Sequence, residues 1–152
     1  MENEKTISVL NNLIQINNDR IEGYKTASAE TKEGDLIAMF SQFQATSLVI
    51  NSELRSEVTR LGGNPTEDTR LTGKFFRVWM DVKAALTGND RKAILESCEY
   101  GEDVAKKTYE DTLANEIENL SSEQQTMLKD QHATLVADHN KVKTMIDALV
   151  AI

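Results

Sequence analysis

The sequence has few of the residues that build turns and crosslinks. It contains one Pro and seven Gly among 152 residues, which argues against a loop-rich or mostly β architecture, because turns depend on these residues. Its single cysteine, Cys98, excludes a disulfide framework within the chain and is typical of a reducing compartment. Together with the length, these absences favour one helical domain.

Further absences bear on partners and location. No apolar run approaches the roughly 20 residues that a transmembrane helix needs, and the opening MENEK lacks the basic and apolar regions of a signal peptide. Lys and Arg number 17 against 25 Asp and Glu, a formal charge of −8, whereas phosphate binding needs clustered basic residues. We therefore expect a cytoplasmic protein that binds neither membranes nor nucleic acid.

Apolar residues recur at helical spacing in four long segments and one short one. They predict helices over about residues 4–30, 34–61, 90–118 and 122–150, with a short amphipathic helix over about 71–87. Gly62 and Gly63 supply a stop after the second helix, and Ser121 with Gln124 has the capping-box spacing that opens the last. The prediction is a single all-α domain over residues 1–152.

The lengths of the connections predict the topology. The first two helices and the last two are joined by short loops, so each pair should form an antiparallel hairpin. The connection over about residues 62–89 is long enough to run back along the bundle. This predicts a four-helix bundle with one long crossover, the ferritin-like topology. An up-down-up-down bundle with a decorated loop is the alternative, less favoured because an amphipathic linker helix needs a bundle face to cover.

Polar residues lie within or beside the apolar stripes at positions that the crossover topology aligns. The candidates for a polar core layer are Asn17, Tyr24, Ser47, Glu102, Tyr109, His132 and His139. One from each helix (Asn17, Ser47, Glu102 and His139) falls about 11–15 residues from the end where the first and last helices finish. We therefore predict that these four meet in one layer, with His132 on its flank.

A metal centre is one interpretation of this layer, and the ligand pattern argues against it. Ferritin-like di-iron bundles use a Glu from each of two helices and a Glu-x-x-His from each of the other two. The second helix here contains no His, and the residues three before His132 and His139 are Lys129 and Val136. The pattern therefore fails on both counts.

An incomplete site is the remaining metal hypothesis. It would use Glu102, His132 and His139, although the two His are about 10 Å apart along one helix. Asp19 and Glu22 are expected on a solvated face, away from the apolar stripe. We favour the other interpretation, a buried hydrogen-bond network that specifies helix register, and we predict no cofactor, with a metal ion as the alternative.

Two other features have structural and functional interpretations. Phe75, Phe76 and Trp79 concentrate aromatics in the predicted linker helix, where they would pack on the bundle or form a dimer or partner surface. Cys98 is expected to be an inert buried thiol, because neighbouring carboxylates are the wrong charge for activating a nucleophile.

Several motifs together carry a resemblance to a known family. They are LNNLI at 10–14, NDRIEGY at 18–24, LGGNP at 61–65, Gly73, Trp79, CEYGED at 98–103, Tyr109 and Gln131-His132. With these motifs the chain resembles an uncharacterised bacterial family of ferritin-like four-helix bundles, a domain of unknown function. The resemblance implies the fold, a bacterial source and a cytoplasmic location, and it supplies no catalytic residue.

The functional expectation follows from which catalytic motifs the sequence lacks. The sequence contains no Gly-rich phosphate loop, Ser/His/Asp set or paired CxxC motif. We expect a non-catalytic helical bundle that acts through self-association, as a homo-oligomer, or through a protein partner. The alternative is a ferritin-like metal-binding protein with an atypical, incomplete site. Whether the protein is an enzyme stays open, and the sequence leans against it.

Overall fold

Four long helices account for most of the chain in the computed structural model, which describes residues 2–67 and 90–150. They are α1 (Glu2–Glu30), α2 (Gly34–Arg60), α3 (Arg91–Asn115) and α4 (Ser122–Val150). The all-α four-helix prediction is confirmed. The third helix ends at Asn115 rather than near residue 118, and a 3-10 turn follows at Ile117–Asn119. The predicted helix over about 71–87, with Phe75, Phe76 and Trp79, lies outside the described residues.

Side-chain caps start two of the helices. The Asp90 carboxylate accepts a hydrogen bond from the Ala93 backbone N–H at 3.2 Å, which satisfies one of the unpaired donors in the first turn of α3. Before α4, the Gln124 N–H donates to Ser121 Oγ at 3.1 Å, while the Ser121 N–H donates to Gln124 Oε1 at 2.8 Å. This pair is the reciprocal capping box that the sequence spacing predicts.

Two glycines end α2. Gly62 has a φ of +85°, in the left-handed region that favours glycine. The N–H of Gly63 donates to the Val58 carbonyl at 2.9 Å, and the N–H of Gly62 donates to the Thr59 carbonyl at 3.0 Å. This is the Schellman pattern. A Cβ at position 63 would come within 2.8 Å of Ile7, so the second glycine also lets the turn approach α1.

Contacts at the two ends of the bundle establish the crossover topology. Arg91 lies at the start of α3 and Asp35 at the start of α2. Arg91 Nη2 is 2.5 Å from Asp35 Oδ2, so these two helix starts lie at the same end of the bundle. At the opposite end, Glu57 near the end of α2 accepts from Gln124 in the first turn of α4 at 2.8 Å. Thus α2 ends at the opposite end of the bundle from the start of α3, which is the arrangement that a long crossover requires. An up-down-up-down bundle is excluded.

The core consists of two apolar clusters, one toward each end of the bundle. One cluster contains residues such as Leu13, Leu54 and Leu128, and the other contains Phe40, Leu95 and Val142. In all four helices the change from one cluster to the other falls within the same short stretch of the bundle. Polar side chains fill that stretch. None of the described helices has the length and hydropathy needed to span a membrane.

Candidate functional site

A buried charged layer separates the two apolar clusters, and each helix contributes one side chain. Its members are Arg20 from α1, Ser47 from α2, Glu102 from α3 and Asp138 from α4, and none is more than 4% exposed. Each lies three or four residues from buried apolar neighbours on its own helix, so the core periodicity itself directs it inward.

Arg20 connects the whole layer. Its Nη1 donates to Ser47 Oγ at 2.6 Å, and its Nη2 donates to Glu102 Oε1 at 2.7 Å and to Asp138 Oδ2 at 3.2 Å. The guanidinium also lies 5.5 Å from the centroid of the Tyr24 ring, within the range of a cation–π contact. One side chain therefore binds to all three other helices.

Burial and charge shift the pKa values in this layer, in opposite directions at Arg20 and Asp138 and in the same direction at Tyr24. Burial lowers the pKa of Arg20, but the nearby Glu102 carboxylate, with Tyr24 and Asp138, outweighs it and the pKa is raised, so Arg20 stays charged. Burial and then the Glu102 charge raise the pKa of Tyr24 well above its usual value, so its hydroxyl stays protonated and donates to Glu102 Oε1. Burial also raises the pKa of Asp138, and Arg20 offsets this only in part.

A second set of hydrogen bonds continues from the layer toward the surface. Ser47 Oγ donates to Asn17 Oδ1 at 2.9 Å, and Asn17 Nδ2 donates to the Tyr109 hydroxyl at 3.1 Å. That hydroxyl donates to Gln131 Oε1 at 2.8 Å, and Gln131 Nε2 donates to the exposed Glu53 at 3.2 Å. The network therefore runs from the centre of the bundle to the groove between α2 and α4.

The charged side chains of the layer are closed off from solvent. Arg20 and Glu102 are 1% and 0% exposed, so a ligand could reach them only if the helices separated. Two of its polar atoms, Glu102 Oε2 and Arg20 Nε, have no hydrogen-bond partner among the described residues. The arrangement joins four helices through one cation, two carboxylates and the Ser47 hydroxyl.

The two histidines lie outside this network, in the groove between α3 and α4. His139 Nε2 is 2.8 Å from Asp103 Oδ1, and His132 Nε2 is 2.8 Å from Glu110 Oε2. The side chains of His139 and His132 are 12% and 25% exposed. Glu99 lies close to the first pair, and the ligand atoms of Glu99, Asp103 and His139 are all within 4.8 Å of one another.

A comparison with protein-family models identifies the family of the chain. The model of the family described as "Domain of unknown function (DUF2383)" matches residues 5–115. The chain belongs to this family. The matched region holds Arg20, Ser47 and Glu102, and it ends before Asp138 and His139 in α4. No curated protein matches the chain in a sequence comparison.

The structure brings together most of the predicted layer but replaces its fourth member. Asn17, Ser47 and Glu102 are in one network, and Tyr24 and Tyr109 each donate a hydrogen bond within it. The prediction that His139 lies beside Glu102 is wrong. Asp138 is the residue of α4 in the layer, and His139 pairs with Asp103.

The correction follows from the periodicity of α4. Its buried positions are 124, 128, 131, 135, 138 and 142, alternately four and three residues apart. Asp138 therefore faces the core, and His139 is turned about 100° away from it. The metal set of Glu102, His132 and His139 is not assembled, because both histidines pair with α3 carboxylates in the outer groove.

Sequence reasoning missed Arg20, Gln131 and Asp138, although spacing could have found them. Arg20 lies between Asn17 and Tyr24 at steps of three and four, so the same stripe that selects those two residues includes it.

Asp19 also departs from the expectation of a solvated face, whereas Glu22 is exposed as predicted. Asp19 is only 3% exposed. Its helix contacts both α2 and α3, so the buried arc of α1 is wider than one stripe.

Proposed function

We propose that this chain is a non-catalytic helical bundle that acts through self-association. A different protein partner on the same surface is the alternative. The burial of the charged layer supports a structural role for the core, because its charged side chains are out of reach of a substrate. The proposed interaction site therefore lies on the surface.

An exposed apolar patch on α2 is the observation that carries the proposal. We call Leu48 and Val49 the α2 patch; they are 52% and 63% exposed. Ile37, also partly exposed, lies about three turns earlier on the same face as Leu48. Because about half of each side chain is already buried, burying the rest in an interface contributes about 1–2 kcal/mol each.

A second copy of the chain is the occupant that we propose, because the α2 patch carries no charge. The formal charge of −8 makes two copies repel each other over most of their surface. An apolar patch is self-complementary and carries no charge, so it is suited to a two-fold symmetric contact.

Analytical ultracentrifugation over a wide concentration range tests the proposal. The unmodified chain should form a dimer or larger assembly, and Leu48→Glu and Val49→Glu should shift it to monomer. Ser122→Glu, at an exposed polar position at the start of α4, adds the same charge away from the patch; it is the control and should leave the assembly intact. A monomer at every concentration would overturn self-association, and an assembly that survives both patch variants would show that another surface holds it.

The proposed relation to ferritin-like bundles rests on the topology. Ferritin-like bundles have one long crossover connection, and the order of helix directions here supports our proposal that the chain is related to them. The cytoplasmic location and bacterial source belong to the same proposal: a single buried thiol, Cys98, agrees with the first, and the motif resemblance is the basis of the second.

A further inference from the structure

The outer groove between α3 and α4 contains three side chains that commonly bind metal ions. Glu99 and Asp103 are four residues apart on α3, so they share a face and lie about one turn apart. His139 reaches them from the neighbouring antiparallel helix. Their ligand atoms lie within 4.8 Å of one another, and the three side chains are partly buried.

The spacing suits a single ion. Ligand atoms about 2.0–2.2 Å from a metal are about 3–4.4 Å from each other in tetrahedral or octahedral geometry. The His139–Asp103 contact of 2.8 Å already holds the imidazole Nε2 beside one carboxylate. Small rotations of the three side chains would therefore let all of them bind one ion.

The charge balance also favours a cation. Within residues 2–67 and 90–150, no side chain forms a hydrogen bond or ion pair with the Glu99 carboxylate. With a neutral imidazole, the three side chains carry two negative charges on a chain whose formal charge is −8. A divalent ion would neutralise both carboxylates in the groove.

We propose that Glu99, Asp103 and His139 bind one divalent first-row transition-metal ion, with water completing its coordination. The imidazole nitrogen selects for ions such as Zn²⁺ over Mg²⁺ and Ca²⁺, which prefer oxygen ligands only. This site is separate from the buried charged layer, and it shares only His139 with the set expected from sequence. It is independent of self-association through the α2 patch.

The same groove provides a matched control. His132 and Glu110 repeat the His–carboxylate pair one heptad away, also at 2.8 Å. In the described part of the chain, that pair has no third ligand within reach, because the one group of three is Glu99, Asp103 and His139. The two histidines therefore differ in their number of carboxylate neighbours.

Titration of the untagged, metal-free full chain tests the site, with Zn²⁺ followed by calorimetry and Co²⁺ by visible absorption. We expect one ion per chain, and His139→Ala and Glu99→Gln should each weaken binding by at least about tenfold. His132→Ala should leave the affinity unchanged, and circular dichroism should show that all variants are folded. Excess Mg²⁺ should not displace the ion.

Three results would overturn the proposal. They are the absence of saturable Zn²⁺ binding to the unmodified chain, undiminished binding by folded His139→Ala, and equal loss in His139→Ala and His132→Ala. The last result would show that exposed His–carboxylate pairs bind the ion without a three-ligand site.

Discussion

Removing the Arg20 guanidinium should be among the most destabilising single changes in this protein. Arg20→Met keeps most of the apolar stem but removes hydrogen bonds to Ser47, Glu102 and Asp138. It leaves Glu102 and Asp138 buried, at 0% and 4% exposed, without their cation. Loss of one partner from a buried ion pair costs about 3–5 kcal/mol, a large part of the roughly 5–15 kcal/mol that stabilises a typical domain.

A second substitution separates stranded charge from lost packing. Glu102→Gln keeps the size of the side chain and an acceptor oxygen but removes its charge. In the Arg20→Met background it should therefore recover about 1–3 kcal/mol, because no unpaired carboxylate is left at that position. If stranded charge is the main cost, the double variant will be more stable than Arg20→Met alone.

Urea unfolding followed by far-UV circular dichroism measures these differences through the midpoint and slope of each transition. Arg60→Met is the control, because Arg60 is 62% exposed and pairs with Glu57 on the surface, where an ion pair contributes little. An Arg20→Met cost below about 1 kcal/mol would refute the reasoning, as would a double variant no more stable than the single one. If Arg20→Met does not fold, Glu102→Gln alone still tests the buried Arg20–Glu102 pair.

Three further predictions concern the helix ends and the thiol. Gly62→Ala should cost about 1–2 kcal/mol in urea unfolding, because φ is +85° there, and an unchanged midpoint would contradict this. The hydrogen bond from Arg91 lowers the pKa of Asp35 below its usual 3.8. The ionised Asp35 carboxylate therefore stabilises the folded state above pH 3.8, and this stabilisation is lost as the pH falls through the lower pKa of the folded state. Asp35→Asn should therefore lower the melting temperature slightly at neutral pH and not in strong acid; an equal loss at both would point to another cause. Burial raises the pKa of Cys98, so a thiol reagent should label it in urea but not in the native protein, and rapid native labelling would show that the core opens.

The helices were predictable because their signals are local. Apolar periodicity, the Ser121–Gln124 capping box and the glycines after α2 each act within a few residues. The direction of α3 was also predictable, because two short loops and one long connection leave few bundle topologies.

The partners within the polar layer were not predictable in the same way. Arg20 was overlooked although it lies on the same stripe as Asn17 and Tyr24. In α4 a misplacement by one residue turned the inferred side chain by about 100° and selected His139 in place of Asp138. Hydrogen-bond partners across helices depend on axial register, which no single helix encodes.

The two helical hairpins of the chain contribute opposite charges to the buried layer, and this favours the association of one hairpin with the other. The hairpin of α1 and α2 contributes the cation, Arg20, and the hairpin of α3 and α4 contributes the anions, Glu102 and Asp138. Two copies of the first hairpin would bring guanidinium groups together in an apolar interior, and two copies of the second would bring carboxylates together. Only the unlike pair sets the cation against carboxylates, so recognition between the halves is encoded in the side chains as well as in the connection that joins them.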